Sequence, residues 1–228
     1  MTRNRPLPIP VEELSFVLSL ERHDPPLAWP ALFGRAAPIE IEIGSGKGLF
    51  LVEAARANPE VDFVGVERAG KWFRRSADRI LRSGLTNIRI VQADAFDFLA
   101  RWVAPGSART VHVYFPDPWP KKRHARRRLL QAELYRLAAR ALPEGGEFRL
   151  ASDVHDYYEE SIAELAADPL FRRDPWPEGE AGLPTNFAVK YRREGRSEYC
   201  ARYVRLPGAA ALDAASAPML GFVAGGTV

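Results

Sequence analysis

The sequence predicts a doubly wound α/β domain: a mostly parallel sheet, Rossmann-like, with helices on both faces and an antiparallel strand at its C-terminal end. Three observations carry this. Strand-like and helix-like runs alternate from Ile39 onward, a glycine turn joins the first strand to the first helix, and the last β-like stretch forms a hairpin instead of another strand–helix unit.

The elements follow in order. "IEIEI" at 39–43 alternates as a strand does, and Lys47 to Ala57 reads as a helix ended by Asn58-Pro59. "VDFVGVE" at 61–67 is the second strand; Phe73, Ala77, Ile80 and Leu81 then share one helical face up to Gly84, a helix-stopping glycine. "NIRIVQA" at 87–93 and "RTVHVYF" at 109–115 are the third and fourth strands, with "DAFDFLARW" a short helix between them. Leu130, Leu134, Leu137, Ala138 and Ala141 mark the next helix, "PEGG" ends it, and "EFRLAS" at 147–152 is the fifth strand. Asp153 is expected to cap a helix whose apolar face holds Tyr158, Ile162, Leu165 and Ala166. "TNFAVKYRREGRSEYCARYVRL" at 185–206 predicts a closing hairpin around Glu194-Gly195. Residues 1–38 read as an irregular proline-rich arm, 39–206 as the domain, and 207–228 as a low-complexity tail. A closing hairpin suits a class I methyltransferase sheet better than a dinucleotide-binding oxidoreductase.

Composition narrows the class. With 46% hydrophobic and 27% charged residues, and no apolar run near the roughly 20 residues that span a bilayer, a globular protein without a membrane span is expected. The N-terminus lacks the apolar core of a secretory signal. Cys200 is the only cysteine, which excludes an internal disulfide and fits a reducing cytoplasm. The four histidines and one cysteine are scattered without ligand spacing, so no metal is expected. The formal net charge is only +3, yet residues 121–128 hold six Lys or Arg with His124 among them. Charge so concentrated points to a polyanion, although a solvated basic face would read the same way.

Candidate ligand residues lie where the strands are expected to end. In "EIGSGKG" at 42–48, Gly44 and Gly46 allow the backbone to approach a ligand closely, although such a turn can also serve only strand–helix packing. Glu67, at the end of the second strand, can accept from both hydroxyls of a ribose, which fits NAD and S-adenosylmethionine equally. Glu42 would repel a pyrophosphate but suit the cationic end of S-adenosylmethionine; alternatively it is a strand residue paired elsewhere. Asp94 is placed to accept from an adenine amino group, or to cap its helix. Pro116, Pro118 and Pro120 are expected to hold the chain extended around Asp117, projecting that carboxylate over the same rim. Trp119 offers a flat face on which a base could stack, or plugs the core. A noncatalytic RNA-binding protein and an NAD-dependent oxidoreductase remain the competing readings; the oxidoreductase leaves the basic run without a use.

The run "FPDPWPKKRHARRR" at 115–128 resembles the signature of the bacterial tRNA (guanine-N7-)-methyltransferases. "IEIGSGKG", Glu67, "QADA", "SDVHDY" and "TNF" follow in that family's order, so the resemblance covers about residues 39–206. It implies a class I fold, S-adenosylmethionine as methyl donor and tRNA as partner. By the same resemblance Glu42, Glu67, Asp94, Ala95 and Asp117 contact the cofactor, and Asp117 is also the catalytic residue. Lys121, Asp153 and the Thr185, Asn186, Phe187, Ala188 motif contact the substrate, while Lys122, Arg123, Arg126, Arg127 and Arg128 meet the tRNA backbone. Asn186 and Ala188 stand where that family commonly has Lys and Glu; Thr185, Phe187 and Lys190 follow its pattern.

Overall fold

The structure, a computed structural model, describes residues 10–177, 185, 188, 194–195 and 197–208. Seven strands form one sheet: β1 (Ile39–Ile43), β2 (Asp62–Val66), β3 (Ile88–Val91), β4 (Thr110–Tyr114), β5 (Glu147–Ser152), β6 (Phe171–Asp174) and β7 (Tyr199–Arg205). Their order is β3-β2-β1-β4-β5-β7-β6. The first five are parallel, and β7 runs antiparallel between β5 and β6. The C-terminal ends of β1 to β5 therefore share one rim, the edge at which doubly wound sheets bind ligands.

Six α-helices are present among the described residues: α1 (Trp29–Phe33), α2 (Leu49–Ala57), α3 (Gly70–Ser83), α4 (Ala95–Asp97), α5 (Ala132–Ala141) and α6 (His155–Ala167). Alternate strand residues feed two apolar layers. Phe63, Ile88 and Ile90 pack with Leu51, Val52 and Ala55 of α2 and Phe73, Ala77 and Ile80 of α3. Val64, Val66, Val91 and the β1 isoleucines pack with Leu134, Tyr135 and Ala138 of α5 and Leu165 of α6. Each face is thus closed by helices, as the alternating pattern predicts.

Four expectations need correction. The proline-rich N-terminal segment is irregular but built into the core: Leu18 N–H donates to Ile90 O at 2.8 Å and Ile90 N–H donates to Phe16 O at 2.9 Å. Those bonds cover the outer edge of β3, which would otherwise present unpaired backbone. Second, Asp153 is not the cap of α6; the N-cap is Val154, whose N–H donates to Ser152 Oγ at 3.1 Å. Third, the edge partner of β7 is β6, a strand of four residues with two exposed arginines that carries no apolar alternation. Arg202 of β7 holds this corner, bonding Glu147 of β5 at 2.5 Å and reaching Asp174 of β6 at 3.5 Å. Fourth, the first arm of the expected hairpin is helical at Ala188, whose N–H donates to Thr185 Oγ1 at 2.9 Å. The rest of 186–193 and the tail beyond 208 lie outside the described residues.

Candidate active site

At the end of β1 the chain turns through Gly44 (φ 75°) and Gly46 (φ 56°), left-handed conformations that side chains disfavour. A Cβ built on Gly44 would meet nothing within 4 Å, and one on Gly46 only Gly44 O at 3.9 Å, so this backbone faces open space. Gly48 serves packing instead. A Cβ there would run into Ser76, so its absence lets α3 sit directly on the turn.

Two acids meet at this turn. Glu67 accepts the Gly46 N–H on one carboxylate oxygen and the Ala69 N–H on the other, each at 2.8 Å. Both oxygens keep a further lone pair, so accepting from ribose hydroxyls remains open to them. Glu42 is 5% exposed and its Oε2 has no hydrogen-bond partner among the described residues. Burial, with the neighbouring Glu67 charge adding to it, pushes the Glu42 carboxyl up to about 8. A buried carboxyl with an orphaned oxygen, beside an open turn whose Gly44, Ser45, Gly46 and Gly48 N–H groups are already donated within the protein, suits a ligand with a cationic end, and S-adenosylmethionine fits this set where a pyrophosphate would not. Asp94 caps α4, accepting from Phe96 N–H at 2.9 Å and Asp97 N–H at 3.4 Å, with its second oxygen 3.7 Å from Arg68. Its capping role is thus realised. Ala95, half-buried, begins α4 beside it.

Across β1 lies the proline segment. Phe115 continues the ladder, donating to Ala151 O at 2.8 Å, and packs with Phe50, Tyr114, Ala151 and Ala188. Asp117, two residues on, is exposed, and its carboxylate has no hydrogen bond or ion pair among the described residues. The chain here is not uniformly extended. Phe115 (φ 52°) and Trp119 (φ 42°), each preceding a proline, are left-handed. Proline sterics resist the helical region, and burial of Phe115 with its ladder bond overrides the extended preference at a cost of roughly 1–3 kcal/mol per residue.

The basic run folds back on this loop as a 3₁₀ helix, Lys122–Arg127. Trp119 is engaged internally: the Arg127 guanidinium lies 5.1 Å from its ring centroid and the His124 ring sits edge-on at 5.6 Å. Lys121, Arg123 and Arg126 are exposed. Arg128 departs from the expected phosphate contacts. Its Nε donates to Pro118 O at 2.9 Å, it ion-pairs with Glu160, and it lies 5.1 Å from the Tyr157 ring, so it is a strut under the loop. Of the substrate motif, Thr185 and Ala188 are buried, Ala188 against Phe115, while Asn186 and Phe187, like Lys190, lie outside the described residues. Asp153 follows directly on β5 at the rim.

Sequence reasoning passed over two clusters. On the α2 face, Glu40 bonds His112 Nε2 at 2.9 Å and ion-pairs with Arg109, and His112 Nδ1 meets Tyr114 OH at 2.7 Å. The signal was present in the period-two placement of Glu40 and Glu42 on β1 and of His112 and Tyr114 on β4. The second cluster gathers Lys47, Lys71 and Arg75 around Trp72, at 5.1, 5.2 and 5.2 Å from the ring centroid. Its signal was the basic spacing of Arg68, Lys71, Arg74 and Arg75. No group of His, Cys, Asp and Glu among the described residues could hold a metal.

Residues 36–201 match the family described as "Putative methyltransferase". Curated relatives named tRNA (guanine-N(7)-)-methyltransferase include one from Thermus thermophilus, 37% identical over 78% of this chain and 58% of its own length. Another, from Leifsonia xyli, is 40% identical over 78% of this chain and 80% of its own; one from Myxococcus xanthus is 36% identical over 90% and 99%. Coverage of these relatives thus runs from just over half to nearly all of their length. Among solved structures the 16S rRNA methyltransferase KamB aligns with a TM-score of 0.58 at 20% identity, over 78% of this chain and 93% of that one. At that identity the likeness concerns the fold, a class I methyltransferase sheet.

Proposed function

Since this chain belongs to the tRNA (guanine-N(7)-)-methyltransferase family, we propose that it transfers a methyl group from S-adenosylmethionine to N7 of a guanine in tRNA. The observation that carries the reading is the placement of Asp117: an unpaired carboxylate on the rim, one strand from the open glycine turn, with a basic helix folded against the same loop.

The cofactor supplies an electrophilic methyl on a sulfonium. Glu67 would accept from its ribose, Glu42 would face its cationic amino acid end, Gly44 and Gly46 would let the backbone come close, and Asp94 with Ala95 would border its adenine. Guanine N7 carries an in-plane lone pair, so no base need remove a proton before attack. The residues act by positioning, which supplies several of the roughly 7–11 kcal/mol available from proximity. Methyl transfer would put positive charge on the guanine ring, and Asp117, held by the buried Phe115 behind it, would stabilise that charge.

Lys121, Asp153 and the Thr185–Ala188 motif are assigned to the guanine nucleotide. Lys122, Arg123, Arg126 and Arg127 are assigned to backbone phosphates, which position the tRNA without reading its sequence. The variable loop is the proposed position of the target guanine, a reading supported by the family resemblance alone. The cytoplasm is the proposed compartment, supported by the lone Cys200 and by the substrate itself.

The test uses purified protein, tRNA from a strain lacking this modification, and labelled S-adenosylmethionine. Digestion should yield labelled 7-methylguanine; label in another nucleoside, or none, rejects the assignment.

A further inference from the structure

The basic tract after Asp117 is one of two that border the site. The other lies on α3. Lys71, Arg74 and Arg75 are exposed, Arg68 just before the helix is 80% exposed in its side chain, and Lys47 joins them from the glycine turn. Three of these cations converge on the half-buried Trp72 ring, at 5.1 to 5.2 Å from its centroid. Among the described residues no carboxylate lies within ion-pair distance of Lys47, Lys71, Arg74 or Arg75; Arg68 alone has one, Asp94 at 3.7 Å. Lys71 and Arg75 are like charges at i,i+4, a spacing that destabilises a helix unless an anion intervenes. An indole offsets part of that repulsion, but its face holds cations weakly at exposed sites.

The patch is also fixed relative to the proposed methyl donor. Because Gly48 has no Cβ, α3 packs through Ser76 directly onto the glycine turn, and Glu67 bonds both Gly46 and Ala69 at the head of that helix. Strand order puts β1 between β2, which leads into α3, and β4, which leads into the Lys122–Arg127 helix. The two basic tracts therefore flank the glycine turn, their parent strands roughly 10 Å apart across two strand spacings.

We propose that Lys71, Arg74 and Arg75, with Lys47 and Arg68 beside them, form a second binding surface for the tRNA sugar–phosphate backbone. This rests on the reaction proposed above. A tRNA held on both sides of the glycine turn would have its guanine fixed over the cofactor in two directions, and its shape would be read without base contacts.

The test compares wild type with Lys71→Ala/Arg74→Ala/Arg75→Ala, all exposed positions, by filter binding of tRNA across a salt series and by steady-state methylation. The triple variant should bind tRNA about 10- to 100-fold more weakly at moderate salt. Its log–log salt slope should be shallower by about 2, at 0.7–0.9 per lost phosphate contact. S-adenosylmethionine affinity and the melting temperature should hold. An unchanged slope and tRNA affinity overturns the surface, as does equal displacement of bound tRNA by polyglutamate, which would mark a site for acidic protein. Wild-type protein that binds tRNA with the predicted slope but forms no 7-methylguanine would sink the reaction and leave the surface standing.

Discussion

Glu67 and Gly46 are joined by a 2.8 Å hydrogen bond that ties the end of β2 to the glycine turn after β1. The same carboxylate holds Ala69 N–H at 2.8 Å, so one side chain sets both the turn and the start of α3. Glu67→Gln turns an amide NH₂ toward a backbone donor. The expected result is a loss of about 1–3 kcal/mol in stability without cofactor, read by thermal melting, and weaker S-adenosylmethionine binding by calorimetry. Unaltered melting would show that the turn holds itself.

Glu42 and Glu40, two residues apart on β1, titrate in opposite directions. Burial, and then Glu67, raise Glu42 to about 8, so the folded chain keeps a proton that the unfolded chain loses near 4.5. Stability from this group is complete below about 4.5 and is lost as pH rises toward 8. Glu42→Gln should therefore flatten that decline in a melting series from pH 5 to 8. A cation bound at Glu42 favours the ionised form, so S-adenosylmethionine affinity should rise with pH up to about 8, with proton release detectable by calorimetry in buffers of different ionisation heat.

Burial also acts to raise Glu40, but hydrogen bonds and charge from His112 and Arg109 outweigh it and hold the carboxyl down at about 2. This contribution, on the order of 3 kcal/mol, is present above about 4.5 and is lost as pH falls toward 2. Glu40→Gln should be less stable at neutral pH and should unfold at higher pH on acidification than wild type, with the stability difference between the two shrinking as pH falls toward 2. An acid transition at the same pH in both proteins would count against the pairing.

Asp117→Asn tests the proposed role of the unpaired carboxylate. The side chain is exposed, so melting should move by no more than about 0.5 kcal/mol and tRNA affinity should hold, while turnover falls about a hundredfold or more. Parallel loss of binding and turnover would make Asp117 a structural residue.

Arg128 and Arg126 separate the two uses of the basic run. Arg128→Ala removes the bond to Pro118 O and the contact with Tyr157, and should cost about 1–2 kcal/mol in melting. Arg126→Ala, at an exposed position, should leave melting alone and reduce the salt slope of tRNA binding by about 1. Reversed outcomes would exchange the two roles.

Local pattern was sufficient for the five parallel strands, α3, α5 and α6, because alternation and helical spacing report burial directly. It failed at β6, whose "FRRD" offers one apolar residue and becomes a strand only because β7 lies beside it. It failed likewise at Phe115 and Trp119, where local sterics favour extended backbone and packing imposes another conformation.

The chemical inventory of the site belongs to the sequence: the glycines at 44 and 46, the acids at 42, 67, 94 and 117, and the cations after Trp119 are residue identities in chain order. Which of them are free to act was decided by tertiary contacts. Arg128 and Asp94 are drawn into hydrogen bonds of the scaffold, Asp117 and Glu42 Oε2 are left without partners among the described residues, and Trp72 collects cations from two elements 24 residues apart between Lys47 and Lys71. The reason is physical: a polar side chain's availability depends on which donors and acceptors fall within about 3 Å, and only the folded chain brings those together.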